Sequence, residues 1–188
     1  MVNDYLVLNF EDIWKLTLKL SKAIHKKYQP DILIRLSRGG LVIVRLLSDF
    51  LEKNDLMIIG LKYYTDINSR IKTPIITQNL VDKLDGKKIL IVDDVADTGK
   101  SLEYVMNLLK TKNVKDVKIA TLHYKPHSIL KPDFFIEETT KWIVYPWEYV
   151  EFTKLYSSQK LKDGFKKSAI KGELSKLKIP REIFDDFL

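Results

Sequence analysis

The run Lys88-Ile89-Leu90-Ile91-Val92-Asp93-Asp94-Val95-Ala96-Asp97-Thr98-Gly99-Lys100-Ser101 narrows the possible folds more than any other stretch of the chain. Ile89 to Val92 form a short unbroken apolar run, as a strand covered on both faces of a parallel sheet requires. From Ser101 onward, Leu102, Val105, Met106 and Leu109 recur at helical spacing. A strand that enters a helix through small residues aims the turn's N–H groups, and the positive end of the helix dipole, beyond the strand's carboxyl end. Such a corner binds phosphate. Asp93 and Asp94 stand too close to that anion to hold it, and they suit sugar hydroxyls or a metal ion one unit away. Gly99-Lys100-Ser101 copies the end of a nucleotide-triphosphate P-loop, but that motif needs glycine where this chain has Asp94. Helix capping alone would explain Asp, Thr and Ser in the turn. Three acids in five residues are more than capping requires.

A second corner of the same kind precedes it. Ile32 to Leu36 read as a buried strand, followed by Ser37-Arg38-Gly39-Gly40 and an apolar helix from Leu41 to about Leu51. Arg38 adds a fork-shaped cation suited to phosphate oxygens.

The long run from Lys88 to Ser101 resembles the signature of type I phosphoribosyltransferases, which bind phosphoribosyl pyrophosphate (PRPP). The resemblance implies an α/β fold, a parallel sheet flanked by helices, with a small hood that recognises the base. It implies PRPP binding by Asp93, Asp94, Val95, Ala96, Asp97, Thr98, Gly99, Lys100 and Ser101, and pyrophosphate binding by Arg38 and Gly39. Asp93 and Asp94 would hold the ribose hydroxyls and Mg²⁺, and Asp97 would be the catalytic base that takes the purine N7 proton. In this family a non-proline cis peptide often sits at the pyrophosphate turn, here before or at Arg38-Gly39.

Leu56 to Tyr64 read as a third strand, and the polar stretch Thr65 to Gln78 as a long connection. The family has a mobile loop at that place, which makes Arg70 and Lys72 lid candidates; a solvated hairpin tip is the alternative. Val117 to Leu122 give a fourth strand, ending at His123-Tyr124-Lys125-Pro126. His123 and His127 are four apart, but Pro126 breaks the helix that would align them, so no metal site is expected there.

Lys125-Pro126, then Trp142-Ile143 and Pro146-Trp147-Glu148, resemble the xanthine–guanine branch of the 6-oxopurine enzymes. The resemblance implies base binding by Lys125, Trp142 and Ile143, and a second magnesium ligand in Glu148. Earlier in the chain, Asn9 and Asp12 are placed to cap a helix whose apolar stripe is Ile13, Leu16, Leu20 and Ala23/Ile24. Residues 1–150 are expected to form the core, with a hood from about 125–150 plus the N-terminus. Residues 151–188 are expected as a helical extension, with Gly164 and Gly172 weakening any long helix and Pro180 opening a final stripe of Ile183, Phe184, Phe187 and Leu188.

The expected reaction joins a free 6-oxopurine to PRPP at N9, giving a nucleoside monophosphate and pyrophosphate. Adenine as the base is the alternative. A PRPP-sensing regulator that binds nucleic acid is the alternative of another class; the net charge of +7 permits it, but the lysines are scattered and form no basic stripe. The absence of cysteine excludes disulfides, thiolate metal sites and a cysteine nucleophile. No apolar run approaches the ~20 residues that span a bilayer, and the start lacks a signal-peptide layout. A cytoplasmic homodimer or higher homo-oligomer is expected.

Overall fold

Each buried apolar run becomes a strand in the computed structural model, which describes residues 4–36, 38–63, 74–76 and 84–188. In chain order the elements begin with β1 (Tyr5–Val7), α1 (Phe10–His25), β2 (Ile32–Leu36) and α2 (Gly40–Phe50). There follow β3 (Leu56–Ile59), β4 (Leu61–Tyr63), β5 (Pro74–Ile76), β6 (Lys88–Ala96), α3 (Lys100–Lys110) and β7 (Asp116–Tyr124). The chain continues through β8 (Glu137–Glu138), β9 (Trp142–Val144), α4 (Tyr149–Lys162), α5 (Lys167–Lys176) and α6 (Arg181–Phe187). Two compact units result, one of Trp14–Thr139 and one of Met1–Ile13 with Thr140–Leu188.

The larger unit is built on a five-stranded sheet in the order β3-β2-β6-β7-β8, with every pairing parallel. Successive side chains of a strand point to opposite faces, and both faces here are covered. On one face Ile32, Ile34, Leu36, Ile89 and Ile91 pack with Leu102, Val105 and Leu109 of α3. The alternate residues Leu33, Leu90 and Val92 are equally buried, and α2 packs on β2 and β6. Two-sided burial explains why these strands read as unbroken apolar runs rather than alternating ones.

The end of α1 is tied to this sheet through the Tyr28 hydroxyl, which donates to the carbonyls of Ile89 (3.1 Å) and Asp116 (3.3 Å). At the start of α1 a reciprocal capping box forms. The Asp12 N–H donates to Asn9 Oδ1 and the Asn9 N–H to Asp12 Oδ2, both at 3.0 Å.

In the smaller unit β1 pairs in parallel with β9, matching Tyr5 to Trp142 and Val7 to Val144. Neither three-residue strand could stand alone; α4, α5 and α6 supply the apolar cover. Val144, Tyr149 and Phe152 form one core with Ile170, Leu174, Leu177, Ile179 and Phe184. A polar cluster fastens α4 to α5, with Glu173 accepting from the Tyr156 hydroxyl (2.5 Å) and pairing with Lys160 (3.0 Å). The extension is therefore folded structure, three helices on a small ribbon. Phe184 is its buried anchor, whereas Phe187 is 41% exposed, with the Lys154 ammonium 5.0 Å from its ring centroid.

Several boundaries differ from the sequence reading. The third strand is two, because the chain leaves the parallel sheet after Ile59 and β4 turns to pair antiparallel with β5. The lid candidates Arg70 and Lys72 lie outside the described residues. β6 runs two residues past the acids that the sequence places at its end, because Asp93, Val95 and Ala96 stay in register with Thr121, His123 and Tyr124 of β7. Phe134 bridges Ala120, and the sheet's fifth strand is the acidic pair Glu137–Glu138, which the sequence does not mark as a strand.

Candidate active site

Two turns that are far apart in sequence meet at the carboxyl end of the sheet. Parallel pairing of β2 with β6 sets Arg35 beside Val92, so the turn after β2 lies against the two acids that follow Val92 in β6. The Gly39 backbone rests on the Asp94 carboxylate, and a Cβ on Gly39 would overlap all three atoms of that group. Only glycine allows this approach. The Gly40 and Asp94 N–H groups donate to the Asp93 carboxylate, the latter at 3.0 Å. Asp94 Oδ1 accepts from the Val95 N–H at 2.8 Å. The arginine–glycine turn and the acid pair are one site.

The Asp93 carboxyl is held well above the usual carboxylate range, first because the surrounding protein removes water and then because Asp94 adds negative charge beside it. Two adjacent carboxylates with hard oxygen donors suit a small divalent cation, whose charge would relieve that repulsion. Among the described residues no three His, Asp or Glu side chains form a metal-holding cluster.

Beyond Ala96 the turn Asp97-Thr98-Gly99 leads into α3. Gly99 has φ +79°, a left-handed conformation that favours glycine. The N-cap of α3 is Gly99, which offers no side chain to its first amides, and the dipole's positive end faces the turn. Arg38 is exposed at the neighbouring turn, and Lys100 at the helix start. The Arg38–Gly39 peptide is trans, as is every peptide among the described residues, so the cis bond expected at that position is not seen there. Ser37 lies outside the described residues.

The segment after β7 is laced onto this turn. The Lys125 N–H donates to the Ala96 carbonyl (3.0 Å) and the Ile129 N–H to that of Thr98 (3.1 Å). Lys125 is buried, 7% exposed. Burial pushes its pKa down, and the charge of nearby Asp97 partly opposes this. His127, on the same segment, places Nε2 3.0 Å from Asp97 Oδ1. Sequence reasoning considered His127 only as a metal ligand and missed this pairing. The available signal was Pro126, which turns the chain back after the strand. His123 is fully buried, with its pKa lowered to about 4 by burial and by the charge of Lys125. Its Nε2 lies 3.5 Å from Glu137 Oε2, but Glu137 is half exposed and water screens it.

In the smaller unit Trp142 and Glu148 line one cavity of about 590 Å³. Tyr5, Phe152, Tyr156, Val144 and Leu155 also line it. Trp142 is 66% exposed, while its neighbour Ile143 is buried and is not part of the cavity lining. Strand alternation separates the two side chains.

The family model described as "Phosphoribosyl transferase domain" matches residues 8–152. Xanthine phosphoribosyltransferase 1 of Saccharomyces cerevisiae is 27% identical, over 78% of this chain and 90% of that protein. The crystal structure of a purine phosphoribosyltransferase from Pyrococcus horikoshii superposes with a TM-score of 0.72 at 37% identity, covering 77% of this chain and 94% of its own. The Helicobacter pylori xanthine-guanine-hypoxanthine enzyme gives a TM-score of 0.70 at 29% identity, covering 81% and 99%. No described helix is long and apolar enough to cross a membrane.

Proposed function

The chain belongs to the phosphoribosyl transferase domain family, and from that premise we propose that it salvages purines, with 6-oxopurines as its bases. The observation that carries the reading is the contact of the Gly39–Gly40 turn with Asp93 and Asp94, which joins two anion-facing corners in one site. In the reaction the C1′–O bond to pyrophosphate breaks and a bond from purine N9 to C1′ forms. The purine N7 proton leaves to a base.

Each residue has a proposed part. The amides of the turn from Val95 to Ser101 would bind the 5′-phosphate, and Arg38 with Gly39 the pyrophosphate. Asp93 and Asp94 would hold the ribose hydroxyls and Mg²⁺, with Glu148 a ligand for a second ion. Bound there, Mg²⁺ would offset the negative charge that develops on the departing pyrophosphate. Asp97 would accept the N7 proton. Trp142 would stack on the base, with Ile143 beside it as a further base-binding residue.

Base choice turns on Lys125. A lysine ammonium has three donors and no acceptor. The 6-oxygen of hypoxanthine, guanine or xanthine accepts from it, whereas adenine presents an amino group, itself a donor. A site built to donate to the oxygen would discriminate strongly against that mismatch. The names of the yeast and Helicobacter relatives support the same preference.

The test incubates the protein with PRPP, Mg²⁺ and each purine in turn and measures nucleotide formed. Nucleotide from 6-oxopurines, with kcat/KM well above that for adenine, is expected. In Lys125→Ala the preference should shrink. A wild-type preference for adenine would overturn the base assignment alone, and no nucleotide from any purine would overturn the reaction.

A further inference from the structure

We propose that His127 is a positioning residue for Asp97, holding the carboxylate so that one oxygen is committed and the other is presented to the purine proton. The inference rests on the reading of Asp97 as the base.

Three observations carry it. First, His127 Nε2 lies 3.0 Å from Asp97 Oδ1. An ionised carboxylate only accepts, so Nε2 carries the hydrogen and Oδ2 is outside this bond. Second, the backbone that brings His127 there is laced to the Asp97 turn on both sides. The Lys125 N–H bonds the Ala96 carbonyl, one residue before Asp97, and the Ile129 N–H bonds the Thr98 carbonyl, one residue after it. Third, Gly99 is pressed against Ser128 and the Leu130 amide, with no room for a side chain between them. The turn and the segment therefore move as one piece, and the imidazole stays with its carboxylate.

Both side chains are 60% exposed. A pair so exposed adds little to stability, because water screens it and ordering two side chains costs entropy. Its use lies in orientation. A general base must sit within hydrogen-bond reach of its proton, and an aspartate alone on an open turn samples several rotamers. A bond to one oxygen narrows that choice, and misplacement by about 1 Å can cost as much as 10²-fold in rate. The arrangement of a base oriented by a further group recurs wherever proton transfer is placed with care.

The test measures the single-turnover rate of transfer and the steady-state KM for PRPP, with hypoxanthine and Mg²⁺. The proteins are wild type, His127→Ala, His127→Gln, Asp97→Asn and the double variant His127→Ala/Asp97→Asn. For His127→Ala a rate loss of about tenfold is expected, with KM within about twofold and an unchanged melting temperature. The amide donor of His127→Gln should recover much of the loss. The double variant should be no slower than Asp97→Asn, because the histidine acts only through that carboxylate. If Asp97→Asn is slow while His127→Ala turns over like wild type, or if the two losses multiply, the positioning role is wrong. If Asp97→Asn is itself as fast as wild type, the base assignment fails and takes this proposal with it.

Discussion

Replacing a glycine by alanine should have opposite effects at two places in this chain. At Gly39 the added methyl would overlap the Asp94 carboxylate. Asp94 is buried, and its Oδ1 holds the Val95 amide at 2.8 Å. Either the carboxylate swings away and gives up that bond, or the start of α2 lifts from the sheet. Forced overpacking costs about 1–3 kcal/mol, and for a domain of this size each kcal/mol moves the melting temperature by roughly 2–4 °C. A fall of about 2–12 °C is therefore expected, together with a raised KM for PRPP, because the displaced group is the proposed ribose and metal ligand. At Gly172, exposed within α5, nothing lies within 4 Å of a new Cβ. There Gly172→Ala should gain about 0.5–1 kcal/mol by lowering the entropy of the unfolded chain, with PRPP kinetics unchanged. Thermal melts and PRPP titrations of the two variants decide the matter. If Gly39→Ala melts and binds PRPP like wild type, the contact between the two turns does not govern the site, and the geometric basis for the proposed function is lost.

Asp97→Asn should leave the KM for PRPP near wild type while slowing transfer by ~10²–10⁴-fold, the usual cost of losing a general base; turnover within a few-fold of wild type would exclude that role. Asp94→Ala should instead weaken PRPP capture, and an unchanged KM would exclude Asp94 as a ribose or metal ligand. The buried His123 gives a pH dependence. Its folded pKa of about 4 lies below the ordinary 6.5, so the unfolded chain takes up a proton first as the pH drops. Stability should therefore be full above pH 6.5 and decline towards pH 4, by roughly 3 kcal/mol at ~1.4 kcal/mol per pKa unit. Denaturant titrations of His123→Gln should show a flatter acid limb, and an identical limb would refute this. Phe184→Ala should loosen the helical extension at a cost of about 3–5 kcal/mol. Truncation after Glu151 should expose Val144 and Tyr149, so that the protein loses solubility or changes oligomeric state by light scattering. A soluble, active truncate of unchanged oligomeric state would show the extension to be dispensable.

Much of this protein is determined locally, and that part is legible in its sequence. The strands of the parallel sheet are continuous apolar runs because both their faces are buried, and such runs announce themselves without partners. The Asn9–Asp12 capping box is a matter of three residues' spacing. The phosphate corner needs only a strand, small residues and a helix in succession, so Asp93 to Ser101 could be read in order. Tertiary structure decided what adjacency in sequence cannot express. The approach of Gly39 to Asp94 exists because β2 and β6 are parallel neighbours with matched register. The pairing of His127 with Asp97 exists because the chain after β7 folds back on a turn thirty residues earlier. β1 carries too few residues to signal a strand and is made one by β9, which lies far along the chain. In the extension, scattered Ile170, Leu174, Leu177, Ile179 and Phe184 become a core only when three short helices are laid together. The sequence encodes such contacts only through pairing and register, which are properties of the folded chain and not of any one segment.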